Sequence, residues 1–110
     1  MDKPWISQLR KGLLELAILA ALRDAEAYGY QLLQRLANLD AQATFAASES
    51  TVYPILSRLA DEGLLSVRQV PSPAGPPRRY YRLTAAGRTR LGEMSAYFRD
   101  LHAALDPLLS

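Results

Sequence analysis

The 110-residue chain predicts a mainly α, α+β fold: three helices, a two-stranded β-hairpin and one further long helix. Three observations carry that reading. Up to Leu64 the apolar residues recur at helical spacing. From Leu65 to Leu83 the pattern shortens to that of two strands around a proline-rich tip. From Leu91 onward apolar residues fall 3, 4, 3, 4 and 3 positions apart, the repeat of a coiled-coil seam.

In chain order, residues 1–7 read as a loose arm whose one large apolar group is Trp5. Leu9 to Leu22 is helical, and from Leu13 to Leu22 only Glu15 is polar. A helix apolar nearly all round must be covered on more than one side, so one face can meet its own domain while the other needs something else. Arg23 to Ala27 reads as a connection, and Tyr28 to Leu39 as a second helix with Leu32, Leu33, Leu36 and Leu39 inward. Asp40 to Ala47 links it to the third.

The third helix has a start, a face and a stop. Ser48 or Ser50 can cap its free amides. Val52, Leu56, Leu59 and then Leu64 point one way, while Ser50, Tyr53, Ser57, Arg58 and Asp61 point the other. Pro54 would cost an interior backbone bond, which predicts a late start near Ser50. Gly63 suits the left-handed position that closes a helix. Leu65–Val70 and Tyr80–Leu83 then form the hairpin, separated by the stiff segment Pro71–Pro77. Tyr80 and Tyr81 alternate, so one of them packs inward.

Thr84 is placed to cap the last helix. Along it Leu91, Met94, Phe98, Leu101, Leu105 and Leu108 form the seam, with Pro107 expected to end the helix before Leu108 takes part. A helix of about 20 residues protruding from a small domain has little of its own chain to cover such a seam. Burying its side chains at ~1.5–3 kcal/mol each favours a partner copy. The expected organisation is a domain over residues 1–83 and a dimerisation helix over 84–110. The expected dimer interface is Leu16 with Leu91, Met94, Phe98, Leu101 and Leu105.

The formal net charge of +2 hides an asymmetry. Gly63 to Gly92 holds six arginines (Arg68, Arg78, Arg79, Arg82, Arg88 and Arg90) and no acidic residue. Thirteen Lys and Arg less these six leaves seven basic against eleven acidic residues in the rest of the chain. A single-sign patch of this kind is the footprint of a polyanion binder. Three helices followed by a two-stranded wing is the winged variant of helix-turn-helix, whose third helix enters the major groove while the wing touches backbone or minor groove. Candidate DNA contacts are therefore Ser50, Thr51, Tyr53, Ser57 and Arg58 on the helix, with Arg78 and Arg79 on the wing. Arg58 has a second option, lying back on the domain to pair with an acidic neighbour.

Other classes find little support. With no cysteine, disulfides and thiolate metal sites are excluded, which fits a reducing compartment. The longest apolar run, Leu16 to Leu22, falls far short of the roughly 20 residues that span a bilayer. No signal peptide is read at the start of the chain, and the cytoplasm is the expected location. His102 has no second ligand at metal spacing. No nucleophile-base set, phosphate loop or paired-carboxylate motif appears, so neither an enzyme nor a cofactor is expected. A winged-helix protein-interaction module, or a small-molecule-binding scaffold without DNA binding, is the alternative.

Several motifs together resemble the PadR family of bacterial transcription regulators, in its short subfamily with a single C-terminal helix. They are Leu13-Leu14-Glu15-Leu16 with Ile18-Leu19, then Tyr28-Gly29-Tyr30. They continue with Ser50-Thr51-Val52-Tyr53-Pro54, Leu56, Arg58-Leu59 and Glu62-Gly63-Leu64. Arg78-Arg79-Tyr80-Tyr81-Arg82-Leu83-Thr84 and Gly87 complete the set. The resemblance implies a homodimeric repressor on a partly palindromic double-stranded operator, often released by a small aromatic or planar effector. It also marks departures: Ser57 stands where members commonly carry a basic residue, and Pro73, Pro76 and Pro77 replace a Gly-rich wing tip. Phe98 stands where the multidrug-binding branch has a drug-stacking tryptophan. The candidate effector pocket is Trp5, Leu13, Met94, Tyr97 and Phe98, which could equally be plain dimer core.

Overall fold

In the computed structural model, which describes residues 3–110, the helix expected from Leu9 to Leu22 is two helices, α1 (Pro4–Arg10) and α2 (Leu13–Ala21). The break is at Lys11 and Gly12, with Gly12 at φ +87°, a left-handed geometry that glycine adopts without strain. Most of the expected loose arm is thus helix, because Pro4 at the first helical position pre-sets φ. Its residues 1 and 2 lie outside the described residues.

The Arg23–Ala27 connection is likewise more ordered than expected. It ends in a two-residue strand, β1 (Ala27–Tyr28), which runs into α3 (Gly29–Leu39). Arg35 of α3 ties the connection down: its guanidinium donates to the carbonyls of Ala21 at 3.1 Å, Ala25 at 2.9 Å and Glu26 at 2.8 Å. Two of α3's expected inward leucines, Leu32 and Leu36, are buried, but Leu39 lies past the core and is 81% exposed.

The link to the third helix is stapled by one side chain. Asp40 accepts from the amides of Thr44 and Phe45, both at 2.8 Å. The helix itself, α4 (Glu49–Asp61), starts at Ser48, whose amide donates to Thr51 Oγ1 at 2.9 Å. Pro54 therefore falls in the second turn rather than the first, on the exposed side where water can reach the carbonyl it leaves unpaired. Gly63, at φ +78°, closes the helix as expected. The Leu64 amide bonds the Leu59 carbonyl at 2.9 Å and the Gly63 amide bonds the Ala60 carbonyl at 3.0 Å, the two bonds of a Schellman cap.

Strands β2 (Leu65–Val70) and β3 (Arg78–Leu83) form the wing, and β3 begins two residues earlier than expected. The sheet has three strands rather than two, in the order β1-β3-β2, all antiparallel. Tyr81 is the inward tyrosine of the pair. Thr84 caps α5 (Ala85–Leu109), accepting from the Gly87 amide at 3.0 Å and donating to the Gly63 carbonyl at 2.7 Å. Pro107 does not end this helix but sits in its last turn, where few downstream bonds remain to be lost.

One core joins these elements. Ile18, Leu19 and Leu22 meet Leu32 of α3 and Val52, Leu56 and Leu59 of α4, all essentially water-free. Leu64 of the preceding turn, Leu65, Tyr81 and Leu83 of the sheet and Leu91 of α5 close it. Leu91, whose spacing places it in the expected dimer seam, is 8% exposed and packs into this core.

Candidate nucleic-acid interface

Leucines 56 and 59 and Val52 turn one side of α4 into the core, which leaves Ser50, Thr51, Tyr53 and Ser57 facing outward. Beside them, pairing of Val70 with Arg78 and Gln69 with Arg79 fixes the start of β3 at the open end of the wing. Between α4, the start of α3 and β3 runs a groove of about 440 Å³, lined among others by Tyr30, Tyr53, Ser57, Arg78 and Arg79. Among the described residues no acidic side chain lines it.

Tyr53 is positioned by a glycine. A Cβ on Gly29 would lie 2.6 Å from the Tyr53 ring and 2.9 Å from its hydroxyl, so the tyrosine lies directly on the α3 backbone. Burial, with Glu49 and Tyr81 nearby, raises the phenol pKa above its ordinary 10.0. The hydroxyl therefore stays protonated and able to donate at physiological pH.

The six arginines of the acid-free segment divide by partner. Arg68 pairs with Glu26, which is held below its ordinary carboxylate range chiefly by that hydrogen bond. Arg88 donates to the Arg23 carbonyl at 3.1 Å, and Arg90 lies 3.7 Å from Glu15. Among the described residues Arg78, Arg79 and Arg82 make no ion pair. Arg78 instead lies over the Tyr28 ring at 4.7 Å and Arg79 over Tyr81 at 5.7 Å. Tyr28 packs edge-on against Tyr80, whose ring carries Arg68 at 5.0 Å. These aromatic faces order the guanidiniums without neutralising them.

Of the expected contacts, Tyr53, Ser57, Arg78 and Arg79 share the groove, and the other three do not. Thr51 is engaged in the cap, donating to the Ser48 carbonyl at 3.1 Å, and Ser50 lies 3.0 Å from the Ser48 hydroxyl. Arg58 takes its second option and pairs with Glu15 and Glu62 on the other flank of α4. Gly29 and Tyr30 also line the groove, beyond the contacts expected from sequence. Their only signal is the tyrosine-flanked glycine that opens α3.

The apolar seam follows α5. Phe98, Leu101 and Leu105 are 39%, 52% and 51% exposed, with Met94 half-buried beside them. With Leu13 and half-buried Leu16 of α2, Met94, Tyr97 and Phe98 line a hollow of about 380 Å³. A second, of about 540 Å³, continues past Leu9, Leu101 and Leu105 to Leu108. Trp5 lines neither and stands exposed on α1, so the structure brings together only four of the five expected pocket residues. Among the described residues no cluster could hold a metal ion, and no helix is long and apolar enough to cross a membrane.

Comparison with known proteins agrees with this architecture. The Transcriptional regulator PadR-like family matches over residues 18–93. A PadR-like transcription factor of Bacteroides fragilis is 39% identical, with 93% of this chain and 95% of that one covered and a TM-score of 0.76. A regulator of the same kind from Eggerthella lenta is 33% identical, covering 96% of this chain and 89% of its own, at a TM-score of 0.83. Bacillus subtilis PadR, solved in complex with operator DNA, is 29% identical over 76% of this chain and 46% of its own length, at a TM-score of 0.67.

Proposed function

The chain belongs to the PadR-like family of transcriptional regulators, which are not enzymes, and from that premise we propose that it is a cytoplasmic, homodimeric repressor of a partly palindromic operator. The observation that carries the reading is the groove in which Tyr53 and Ser57 of α4 meet Arg78 and Arg79 of β3, with no acidic side chain among the described residues that line it. The operator-bound state of Bacillus subtilis PadR gives DNA as the partner in kind.

In this account α4 enters a major groove and offers Tyr53 and Ser57 to base edges, while the wing arginines take phosphates. Phosphate contacts supply affinity and register; base contacts supply sequence choice. Residues 84–110 act as the dimerisation unit, Met94, Phe98, Leu101 and Leu105 of two copies covering one another with Leu16. The hollow at Leu13, Met94, Tyr97 and Phe98 takes a small aromatic or planar effector, which acts by binding one arrangement of the dimer better than the other. The direct test is a DNA-binding titration of the Arg78→Ala/Arg79→Ala variant. Weakened binding to every duplex is expected; unchanged binding would remove the wing from the mechanism.

A further inference from the structure

Glu15 is the lone polar residue of the apolar stretch from Leu13 to Leu22, and its side chain is only 14% exposed. One carboxylate oxygen accepts from Arg58 of α4, and the other faces Arg90 of α5 at 3.7 Å. Arg58 also donates to Glu62, one turn further along its own helix, at 2.9 Å. Its guanidinium is thereby held on the α2 flank of α4, next in sequence to Ser57 of the groove yet turned from it. An exposed pair four residues apart on a helix is a weak tether. The grip that counts comes from Glu15, because water screens a largely buried carboxylate less than an exposed one. Arg90 on the other oxygen means that this carboxylate keeps a cation even when Arg58 leaves.

We propose that Glu15 is a positioning residue that holds Arg58 off the DNA and so limits the sequence-independent part of the protein's affinity. Arg58 remains 48% exposed beside the reading surface. Released from Glu15, it is a long cation free to reach a phosphate. The proposal rests on the reading of α4 as the DNA-facing helix.

The test compares full-length wild type, Glu15→Gln, Arg58→Met and the double variant. Each is titrated against a random-sequence duplex, and against a duplex that wild type selects from a random pool, across a range of salt. One phosphate neutralised steepens the slope of log affinity against log salt by about 0.9, so a fourfold rise in salt should cost Glu15→Gln about 3.5-fold more affinity per subunit than wild type. Both duplexes should gain alike at low salt, since a phosphate contact carries no base information. Arg58→Met alone should keep the wild-type slope, and the double variant should return to it.

An unchanged slope in Glu15→Gln, a gain confined to the selected duplex, or a flattened slope in Arg58→Met would each overturn the proposal. The last arm decides by itself should Glu15→Gln fail to fold. Wild type that binds neither duplex would overturn the reading of α4 together with this proposal. Wild type that binds with salt dependence while Glu15→Gln behaves identically would overturn this proposal alone.

Discussion

Gly29 and Tyr53 act as one unit. An added methyl at Gly29 would press within 2.6 Å of the phenol ring, and the ring, not the α3 backbone, is the part that can yield. Gly29→Ala should keep the helical circular dichroism of wild type yet bind operator about tenfold more weakly, and it should add little on top of Tyr53→Ala, since coupled neighbours are not additive. Full additivity in that double variant would uncouple the pair. Asp40 gives a pH dependence. Amide hydrogen bonds, first from Phe45 and then from Thr44, hold its carboxyl below the ordinary 3.8 in the folded chain. The stabilisation is therefore complete above the unfolded-state value and is lost as pH falls through the lower folded one. Asp40→Asn should be less stable at neutral pH, with faster hydrogen exchange at the Thr44 and Phe45 amides, and the difference from wild type should shrink in strong acid. None of these partners was legible in the sequence, because the Gly29–Tyr53 contact joins two helices and Asp40 reads as an ordinary linker residue. Glu15 left a clue in its isolation among leucines and alanines.

At the scale of elements, the sequence is legible where local signals are strong. Thr84 and Gly63 declare their roles by residue type, and the apolar stripe of α4 and the wing strands follow their periods. The failures are physical as well. Strand β1 is two residues long and exists only because β3, more than fifty residues later, pairs with it. The Gly12 break hides inside an otherwise continuous apolar pattern, and Leu91 keeps the seam's spacing while its position beside the sheet buries it. The wing itself makes the element-scale prediction. On the proposed role of the wing arginines, loss of two phosphate contacts should flatten the log–log salt slope by up to about 1.8 per subunit in Arg78→Ala/Arg79→Ala. The fold should survive, because both side chains are exposed and among the described residues neither forms an ion pair. Loss confined to one operator sequence would instead assign these arginines to base edges.

The molecule as a whole measures 53 × 35 × 22 Å, its α5 carrying exposed Leu101, Leu105, Leu108 and Leu109 at the far end. A run of that kind left in water is a cost that a second copy removes. Leu101→Glu should therefore sediment as a monomer with its own core intact, and an unaltered dimer would overturn the seam. The proposed dimer matters because it would fix where two α4 helices stand relative to each other. The measurement that tests this most directly is a hydroxyl-radical footprint of the wild-type protein on its selected operator. Two protected half-sites, related by a two-fold axis and centred one helical turn, about 34–36 Å, or a multiple of it apart, are predicted. A single unpaired patch of protection would contradict the account.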